Sequence, residues 1–291
     1  MNAQRDSVET MQSDAHALST AKPALWRRFR ALAPGSYTLL SIASPLLLLA
    51  IWEGACRTGW VNTGFFPPPS AVLDELTHMI STGEILVHVG VSLTRILAGF
   101  LLGAVPGVLI GLAVGLSPVV RALVQPLVNA TFPIPKVAIL PLFILMFGMG
   151  ELSKYAIIAV TVVYLVLINT YEGVRDISPL HLDVGHNFGA SRLMMFRDIA
   201  FPGALPQILA GLRISLGVAL LVIVAAEFVG AKSGIGFLIW NSWQVFEVEK
   251  MYVGLAASAV LGFVFSLGFD LLERALLPWR VVARGHGRRR A

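Results

Sequence analysis

Six apolar stretches, each long enough to cross a bilayer as a helix, limit what this chain can fold into. They lack the strict apolar–polar alternation of barrel strands, which indicates helices. Six crossings also bring the chain back to the side of the membrane on which it began. The stretches are residues 37–56, 90–116, 122–149, 154–171, 208–230 and 252–273. The sequence therefore predicts an all-α polytopic membrane protein with six transmembrane helices.

The composition excludes the other broad classes of protein. Hydrophobic residues make up 56% of the chain and charged residues 13%, whereas a soluble domain carries about 25% charged residues. Disorder is excluded as well, because it requires low hydrophobicity and high net charge. Cys56 is the one cysteine in the sequence, so an intrachain disulfide is excluded.

The distribution of positive charge predicts the orientation. With the N-terminus inside, 16 of the 22 Lys and Arg residues fall on the inner side of the six-span arrangement. Cytoplasmic loops carry the excess of Lys and Arg in membrane proteins. We therefore expect both termini to lie in the cytoplasm.

The segments outside the apolar stretches have patterns of their own. In residues 22–34, apolar side chains recur at helical spacing between arginines, which fits either an interfacial helix or a signal that only sets topology. After three consecutive prolines, Ser70 can cap a helix over 71–80, with Val72, Leu76 and Met79 on one face, as in an interfacial helix. The predicted division is a cytoplasmic tail with this interfacial helix (1–36), a first span (37–56), a periplasmic segment (57–89), a core of five spans (90–275) and a basic cytoplasmic tail (276–291).

Common enzyme motifs are missing from the sequence. The dipeptide Gly-Lys does not occur, so the chain cannot cradle nucleotide phosphates through a Walker motif. Neither a metalloprotease HExxH pattern nor a GxSxG nucleophile motif is present. We therefore expect no catalytic residues, no metal ligands and no cofactor bound by this chain.

Five glycines at a strict spacing of four mark the second apolar stretch. Small residues at this spacing form a groove into which another helix can pack closely. The residues are Gly99, Gly103, Gly107, Gly111 and Gly115. The pattern predicts a helix-packing face.

Two charged residues lie in apolar surroundings. Lys136 belongs to the third stretch, which prolines including Pro133 interrupt, and Glu227 lies near the outer end of the fifth. Charges within the membrane usually face a water-filled path or a partner, and broken helices are tolerated where they line a cavity. Lys136, Pro133 and Glu227 are therefore candidates for a pathway wall. A snorkelling Lys136 and a Glu227 that caps the following turn are the alternative interpretations.

A polar loop of 36 residues, 172–207, separates the fourth and fifth stretches. It predicts two short helices, near 179–188 and 191–199, with Gly189 between them in a left-handed conformation. Ser191 can cap the second helix, and Pro202 and Pro206 are expected to end it before the fifth span. Such a helical hairpin on the inner face would suit docking to a cytoplasmic partner.

This loop resembles that of the permease subunits of ABC importers, whose pattern is EAA, three residues, G, nine residues, I, one residue, LP. Gly189, Ile199 and Pro202 take the glycine, isoleucine and proline positions, whereas Phe201 stands at the leucine and Asp183-Val184-Gly185 at the triplet. Gly185 in place of alanine should weaken the local helix by about 1 kcal/mol. Further stretches resemble the nitrate, sulfonate and taurine branch, namely FFPPPSAVLDELTHMISTGEI (65–85), SLTRILAGF (92–100), LINTYEGVRDI (167–177) and GLRISLGVALLVIVAAEFVGAKSGIGFLI (211–239).

The resemblance implies a type I importer permease of the bacterial inner membrane with a coupling loop between helices 4 and 5. Its partners would be a second permease copy, a cytoplasmic ATPase dimer that binds ATP and Mg²⁺, and a periplasmic or extracellular solute-binding protein. By position, the coupling residues would be Asp183, Val184, Gly185, Gly189, Ala190, Ser191, Ile199 and Pro202. Arg192 and Phe196 are added as an exposed charge and an exposed apolar side chain.

Several alternatives remain open from the sequence. The solute would be a sulfonate, taurine, nitrate or similar small molecule, or else a pyrimidine or thiamine precursor. A secondary transporter driven by an ion gradient would usually show internal repeats, and none is clear here. A membrane scaffold without transport activity would need neither the hairpin nor the broken third span.

Overall fold

The computed structural model describes residues 34–278, without the side chains of 34–39, 42, 186 and 192. Apart from Pro34, the predicted interfacial helix at 22–34 lies outside the described residues, as does the basic tail beyond residue 278. The described part is helical and contains no strand, which confirms the all-α class. Its helices are α1 (Pro34–Arg57), α2 (Pro69–Thr82), α3 (Glu84–Leu116), α4 (Pro118–Thr131), α5 (Leu140–Phe147), α6 (Glu151–Arg175), α7 (Pro179–Asn187), α8 (Arg192–Met194), α9 (Phe201–Glu227), α10 (Ile235–Gln244) and α11 (Val248–Leu276).

The chain divides into two compact units, one up to Pro69 and one from Ser70 onward. In the first unit, α1 covers the predicted first span, and the thiol of Cys56 donates to the carbonyl oxygen of Phe66 at 3.3 Å. The second unit holds the four unbroken candidate spans, and the contacts between helices described below lie within it.

The core contains four candidate spans, with a possible fifth. Helices α3, α6 and α11, and the continuous helix Met195–Glu227, are each long and apolar enough to cross a bilayer. A fifth crossing is possible if α4 and the helical segment Lys136–Phe147, bent by 88°, form one broken span where the third was predicted. Among the described residues this gives four or five spans in total, so the count of six stays a prediction.

The glycines of α3 lie against α6 with almost no space between the two helices. A Cβ atom built on Gly99 would come within 2.6 Å of the Ile158 Cβ, and one on Gly111 within 2.6 Å of the Thr170 Cβ. At Gly103 a Cβ would overlap the backbone carbonyl oxygen of Ala159. Backbone atoms cannot rotate away as the end of a flexible side chain can, so glycine is required at this contact.

Helix α6 presents a matching row of β-branched side chains at the same spacing of four. The row consists of Ile158, Val162, Val166, Thr170 and Val174, and each member faces the glycine 59 positions earlier in the chain. The constant offset shows that α3 and α6 run parallel. β-branched side chains are restricted in χ1, so they form a stiff ridge that loses little freedom on packing.

Helix α9 packs antiparallel on another side of α6. Close contacts join Gly173 to Gln207 near one end, and Gly211 to Asn169 farther along. The main apolar core lies among α3, α6 and α9 and includes Ile96, Ile158 and Ile223, each with no exposed surface. Helix α6 is thus the central element of the second unit.

Helix α2 begins and ends close to the predicted limits of 71–80, but its apolar face has a different neighbour. Val72 and Leu76 pack with the fully buried Met79 against Leu238 of α10 and Val253 of α11. This face therefore contacts protein rather than lying on the membrane surface as expected. The sequence around α2 indicated an apolar face but not its neighbours, because Leu238 and Val253 lie far away along the chain.

The prediction that Pro202 and Pro206 end the second loop helix is wrong. Helix α8 passes through a π turn, Met195–Ala200, directly into α9, and the helix continues through both prolines. Pro202 lies where the π turn joins α9, so its missing N–H removes one hydrogen bond from the continuous helix. Interior prolines such as Pro206 are tolerated in membrane helices, because neighbouring groups and local π adjustments compensate for the lost hydrogen bond.

The close contact at the glycine ridge can be tested with one matched pair of substitutions. Gly103→Ala should lower the stability of the protein by about 1–3 kcal/mol, because the new Cβ meets the α6 backbone. Gly90→Ala, also in α3, meets nothing within 4 Å and should be neutral or stabilising by up to about 1 kcal/mol. The midpoint of thermal unfolding in detergent measures both. Equal midpoints for the two variants would contradict the packing described for α3 and α6.

Candidate functional site

A helical hairpin lies at the end of α6 and the beginning of α9. Helix α7 covers most of the first predicted loop helix, and Gly189 follows it with φ of +69°. The hydroxyl oxygen of Ser191 accepts a hydrogen bond from the Met194 N–H at 3.3 Å, so Ser191 caps α8 as predicted. The sequence pattern therefore located the turn and the start of both helices.

Gly185 is the contact point between the two arms of this hairpin. Gly185 is buried, and a Cβ added to it would overlap the Met195 sulfur and come within 2.6 Å of Ile199 Cδ1. The glycine that departs from the EAA pattern thus allows α7 to approach the second arm closely. Glycine at position 185 weakens the helix locally, but it also permits this close contact between the two arms.

The prediction that Phe196 is an exposed apolar side chain is wrong. Phe196 is half-buried and packs on a small core of Leu112, Val174, Ala204 and Ile208, so it is not the exposed group we expected. The π turn at Met195–Ala200 changes the helical phase after Met194, which spacing alone did not reveal. The side chain of Arg192 lies outside the described residues.

An exposed apolar stripe runs instead along α7 and into the turn that follows it. Leu180, Val184 and Phe188 are spaced by four residues and are 67%, 46% and 86% exposed. Leu193 of α8 is also exposed. The other positions carried over by resemblance divide into exposed Asp183, Gly189 and Ser191, and half-buried Ala190, Ile199 and Pro202.

At the other end of α6, a buried arginine joins three helices through carboxylates. Arg95 of α3 donates from Nη1 to Glu227 Oε1 of α9 at 2.8 Å. Its Nε and Nη2 form a bidentate pair with the carboxylate of Glu151, the first residue of α6, at 2.6 and 2.5 Å. The side chains of Arg95 and Glu227 are 4% and 0% exposed. An unpaired charge at such depth would be very costly, so the three groups depend on one another.

Side chains on one face of α3 form hydrogen bonds with the turn between α9 and α10. Ser92 donates to both carboxylate oxygens of Glu227 at 2.8 and 2.9 Å and accepts from the Ile235 N–H at 2.8 Å. His88 Nδ1 accepts from the Gly234 N–H at 3.1 Å, and Arg95 Nη1 donates to the Ser233 carbonyl at 2.6 Å. Because His88, Ser92 and Arg95 lie at i, i+4 and i+7, they share one side of the helix.

The turn itself closes around the Glu227 carboxylate. The Gly236 N–H donates to Glu227 Oε2 at 2.8 Å, and Gly234 has φ of +118°. A Cβ on Gly234 would overlap the carboxyl group, so glycine is needed there for both conformation and space. These contacts support the alternative interpretation that Glu227 caps the following turn.

The structure does not bring the three pathway candidates together. Lys136 Nζ donates to the carbonyl oxygens of Thr131, Phe132 and Ile134 and lies 4.2 Å from the ring centroid of Tyr164. It therefore caps the broken end of α4, beside the exposed Pro133 and near the middle of α6. Glu227 is held near the N-terminal end of α6, by Arg95. A role for any of them in the pathway stays a prediction.

Comparison with known proteins now decides the family. Residues 107–279 match the family model described as the binding-protein-dependent transport system inner membrane component. The chain belongs to this family. It is 34% identical to the taurine transport system permease protein TauC of Escherichia coli K12 over 82% of this chain and 89% of that protein. It is also 34% identical to the putative aliphatic sulfonates transport permease protein SsuC of the same organism, over 81% and 89% respectively.

Solved structures agree on the fold. An inward-facing structure of the MetNI methionine ABC transporter matches 65% of this chain and 94% of its own, with a TM-score of 0.58 and 17% identity. The permease is therefore a multi-pass inner-membrane component of a binding-protein-dependent ABC importer and is not itself an enzyme.

Sequence reasoning missed Arg95, Ser92 and Glu151 as parts of a site. Arg95 could have been found, because it is a charge within an apolar stretch of the permease and such charges need partners. Its partners lie 56 and 132 positions away, so spacing along the chain could not identify them.

Removing the buried guanidinium should destabilise the permease strongly. Arg95→Met leaves the buried Glu227 without its hydrogen-bonded cation, and breaking such a pair costs about 3–5 kcal/mol. Adding Glu227→Gln to this variant should recover part of the loss. Thermal unfolding of the purified variants measures both effects.

Arg57→Met is the matched control, because Arg57 is 72% exposed and pairs with Glu53 one helical turn away. Such a pair contributes about 0–1 kcal/mol. If Arg95→Met unfolds at the same temperature as Arg57→Met, the described network does not hold the helices together.

Proposed function

We propose that this permease carries a small sulfonate, as a homodimer assembled with a cytoplasmic ATPase dimer and supplied by a soluble solute-binding protein. The likeness to permeases for taurine and aliphatic sulfonates supports this substrate class. ATP and Mg²⁺ would bind to the ATPase partner, because the sequence has no motif for nucleotide phosphates. Both termini and the hairpin would face the cytoplasm, and the Arg95 end would face the side from which substrate arrives.

The hairpin is the proposed site of contact with the ATPase. Its stripe of exposed apolar side chains lies on a polar loop outside the spans, where water rather than lipid would otherwise meet it. Aromatic side chains in such positions often dominate the energy of a protein interface. Phe188, which is the most exposed member of the stripe, would then be the principal contact.

Replacing this side chain tests the proposed docking site. Phe188→Asp should reduce ATP-driven uptake and recovery of the co-purified ATPase by tenfold or more, since losing an interface aromatic costs about 2 kcal/mol or more. The fold should persist, because Phe188 makes few internal contacts. Uptake into proteoliposomes and the ratio of the two subunits after purification are the measurements.

Trp60→Asp provides the control, since Trp60 is 87% exposed and lies between α1 and α2, away from the hairpin sequence. We expect this variant to keep its uptake and its ATPase. Full uptake by Phe188→Asp would instead show that the stripe on α7 is not the docking surface.

The substrate class is tested by uptake into cells. Cells that lack the gene for this chain should lose most uptake of radiolabelled taurine or of a short alkanesulfonate, and the restored gene should return it. A radiolabelled thiamine precursor serves as the competing substrate. If these cells lose uptake of the thiamine precursor but keep normal sulfonate uptake, the sulfonate proposal is rejected and the precursor becomes the substrate.

A further inference from the structure

At the end of α6 opposite the hairpin, the guanidinium of Arg95 binds a carboxylate of the protein itself through two parallel hydrogen bonds. Nε and Nη2 of Arg95 form a fork that holds both oxygens of Glu151, at 2.6 and 2.5 Å. Arginine binds carboxylates and other oxyanions through this same paired geometry. A sulfonate group presents a comparable pair of oxygens to the fork.

The two carboxylates on Arg95 differ in how easily they can leave. Glu227 is 0% exposed and is also held by Ser92 and the Gly236 N–H. The side chain of Glu151 is 49% exposed, and its carboxylate has no other hydrogen-bond partner in residues 34–278. Because Glu151 is half-exposed, its carboxylate can turn into water, and Arg95 then keeps Glu227 and the Ser233 carbonyl as partners.

A second buried cation lies beside this position. Lys154 is 3% exposed, and its ammonium group donates to the carbonyl oxygens of Met149 and Gly150, both at 3.1 Å. An ammonium group has three donors, and within the described chain the third has no partner. The charge of Lys154 interacts with those of Arg95, Glu151 and Glu227.

The start of α6 adds a third source of positive potential. Gly150 precedes this 25-residue helix and offers no side chain to cap it, and Glu151 is the acidic residue of the first turn. The N-terminal end of a helix attracts anions through its free N–H groups and its dipole. All three features therefore favour an anion at the place where the Glu151 carboxylate lies.

The charges of the cluster balance only while Glu151 is present. Arg95 and Lys154 carry two positive charges, and Glu151 and Glu227 carry two negative charges. If Glu151 turns outward, the remaining buried groups have a net charge of +1. A monovalent oxyanion bound by Arg95 in its place would restore neutrality.

We propose that Arg95, Lys154 and the start of α6 form a binding site for a sulfonate-type oxyanion, which Glu151 occupies until substrate displaces it. This inference rests on the proposed function, which supplies the substrate class. It makes Glu151 a removable competitor rather than a substrate ligand. The site would accept the anionic group of a molecule that reaches the permease from the side opposite the hairpin.

Binding of methanesulfonate to the purified permease in lipid nanodiscs tests the site. Glu151→Gln removes the competing charge and should tighten binding about tenfold, the ratio that 1.4 kcal/mol gives. Lys154→Met should weaken binding by a similar factor. Isothermal titration calorimetry measures both, with thermal unfolding to verify that each variant is folded.

Glu84→Gln is the matched control. Glu84 is also the first residue of a long helix, and its Oε1 lies 3.3 Å from Nζ of Lys250. It does not belong to the charged cluster around Arg95. Its substitution should leave methanesulfonate binding unchanged. Unchanged or weaker binding in Glu151→Gln would overturn the proposal, and so would tighter binding in Glu84→Gln.

The outcome can be separated from that of the proposed function. Sulfonate uptake by the complete importer, together with no effect of Glu151→Gln on binding, would reject the site and leave the substrate class intact. Tighter binding of nitrate or methanesulfonate by Glu151→Gln, with no sulfonate uptake by cells, would support the site and reject the substrate class.

Discussion

The parallel contact between the glycines of α3 and the β-branched row of α6 determines where the other groups of the second unit lie. A constant offset of 59 residues leaves one possible alignment of the two helices. In that alignment, Arg95 falls beside the first turn of α6 and meets Glu151. A shift by four residues, the spacing of the glycines, would move the guanidinium about 6 Å and separate it from its carboxylates. Apolar shape thus sets the position of the buried charges.

The two ends of α6 are held by different kinds of interaction. At the hairpin end, the contacts are mainly apolar and involve Gly185, Phe196 and their neighbours, with Arg121 over the ring of Tyr171. At the other end, hydrogen bonds from Ser92 and Arg95 fix the turn before α10. Water can compete with such polar contacts wherever a group is partly exposed, as Glu151 is, whereas it cannot replace close apolar packing. Exchange of partners is therefore easier at the polar end.

The sequence was informative where a pattern is local. The glycine spacing in α3, the left-handed Gly189 and the Ser191 cap each depend on residues within a few positions, and the structure contains all three. The partner row on α6 was not recognised, because Ile, Val and Thr at a spacing of four are ordinary in an apolar helix. Phe196 was misplaced because a π turn changes the phase of the helix. The partners of Arg95 are distant in the chain, so no local rule could pair them.

Helix α6 connects the hairpin with the charged cluster as one continuous helix of 25 residues, about 37 Å long. The glycines of α3 keep it in close contact with α6 from Ile158 to Val174. A tilt of about 10° at the hairpin would consequently move the start of α6 by roughly 6 Å, as a rigid lever does. That displacement is comparable with the width of a small solute. Mechanical work done at one face of the membrane would reach Glu151 without any change in the helix between them.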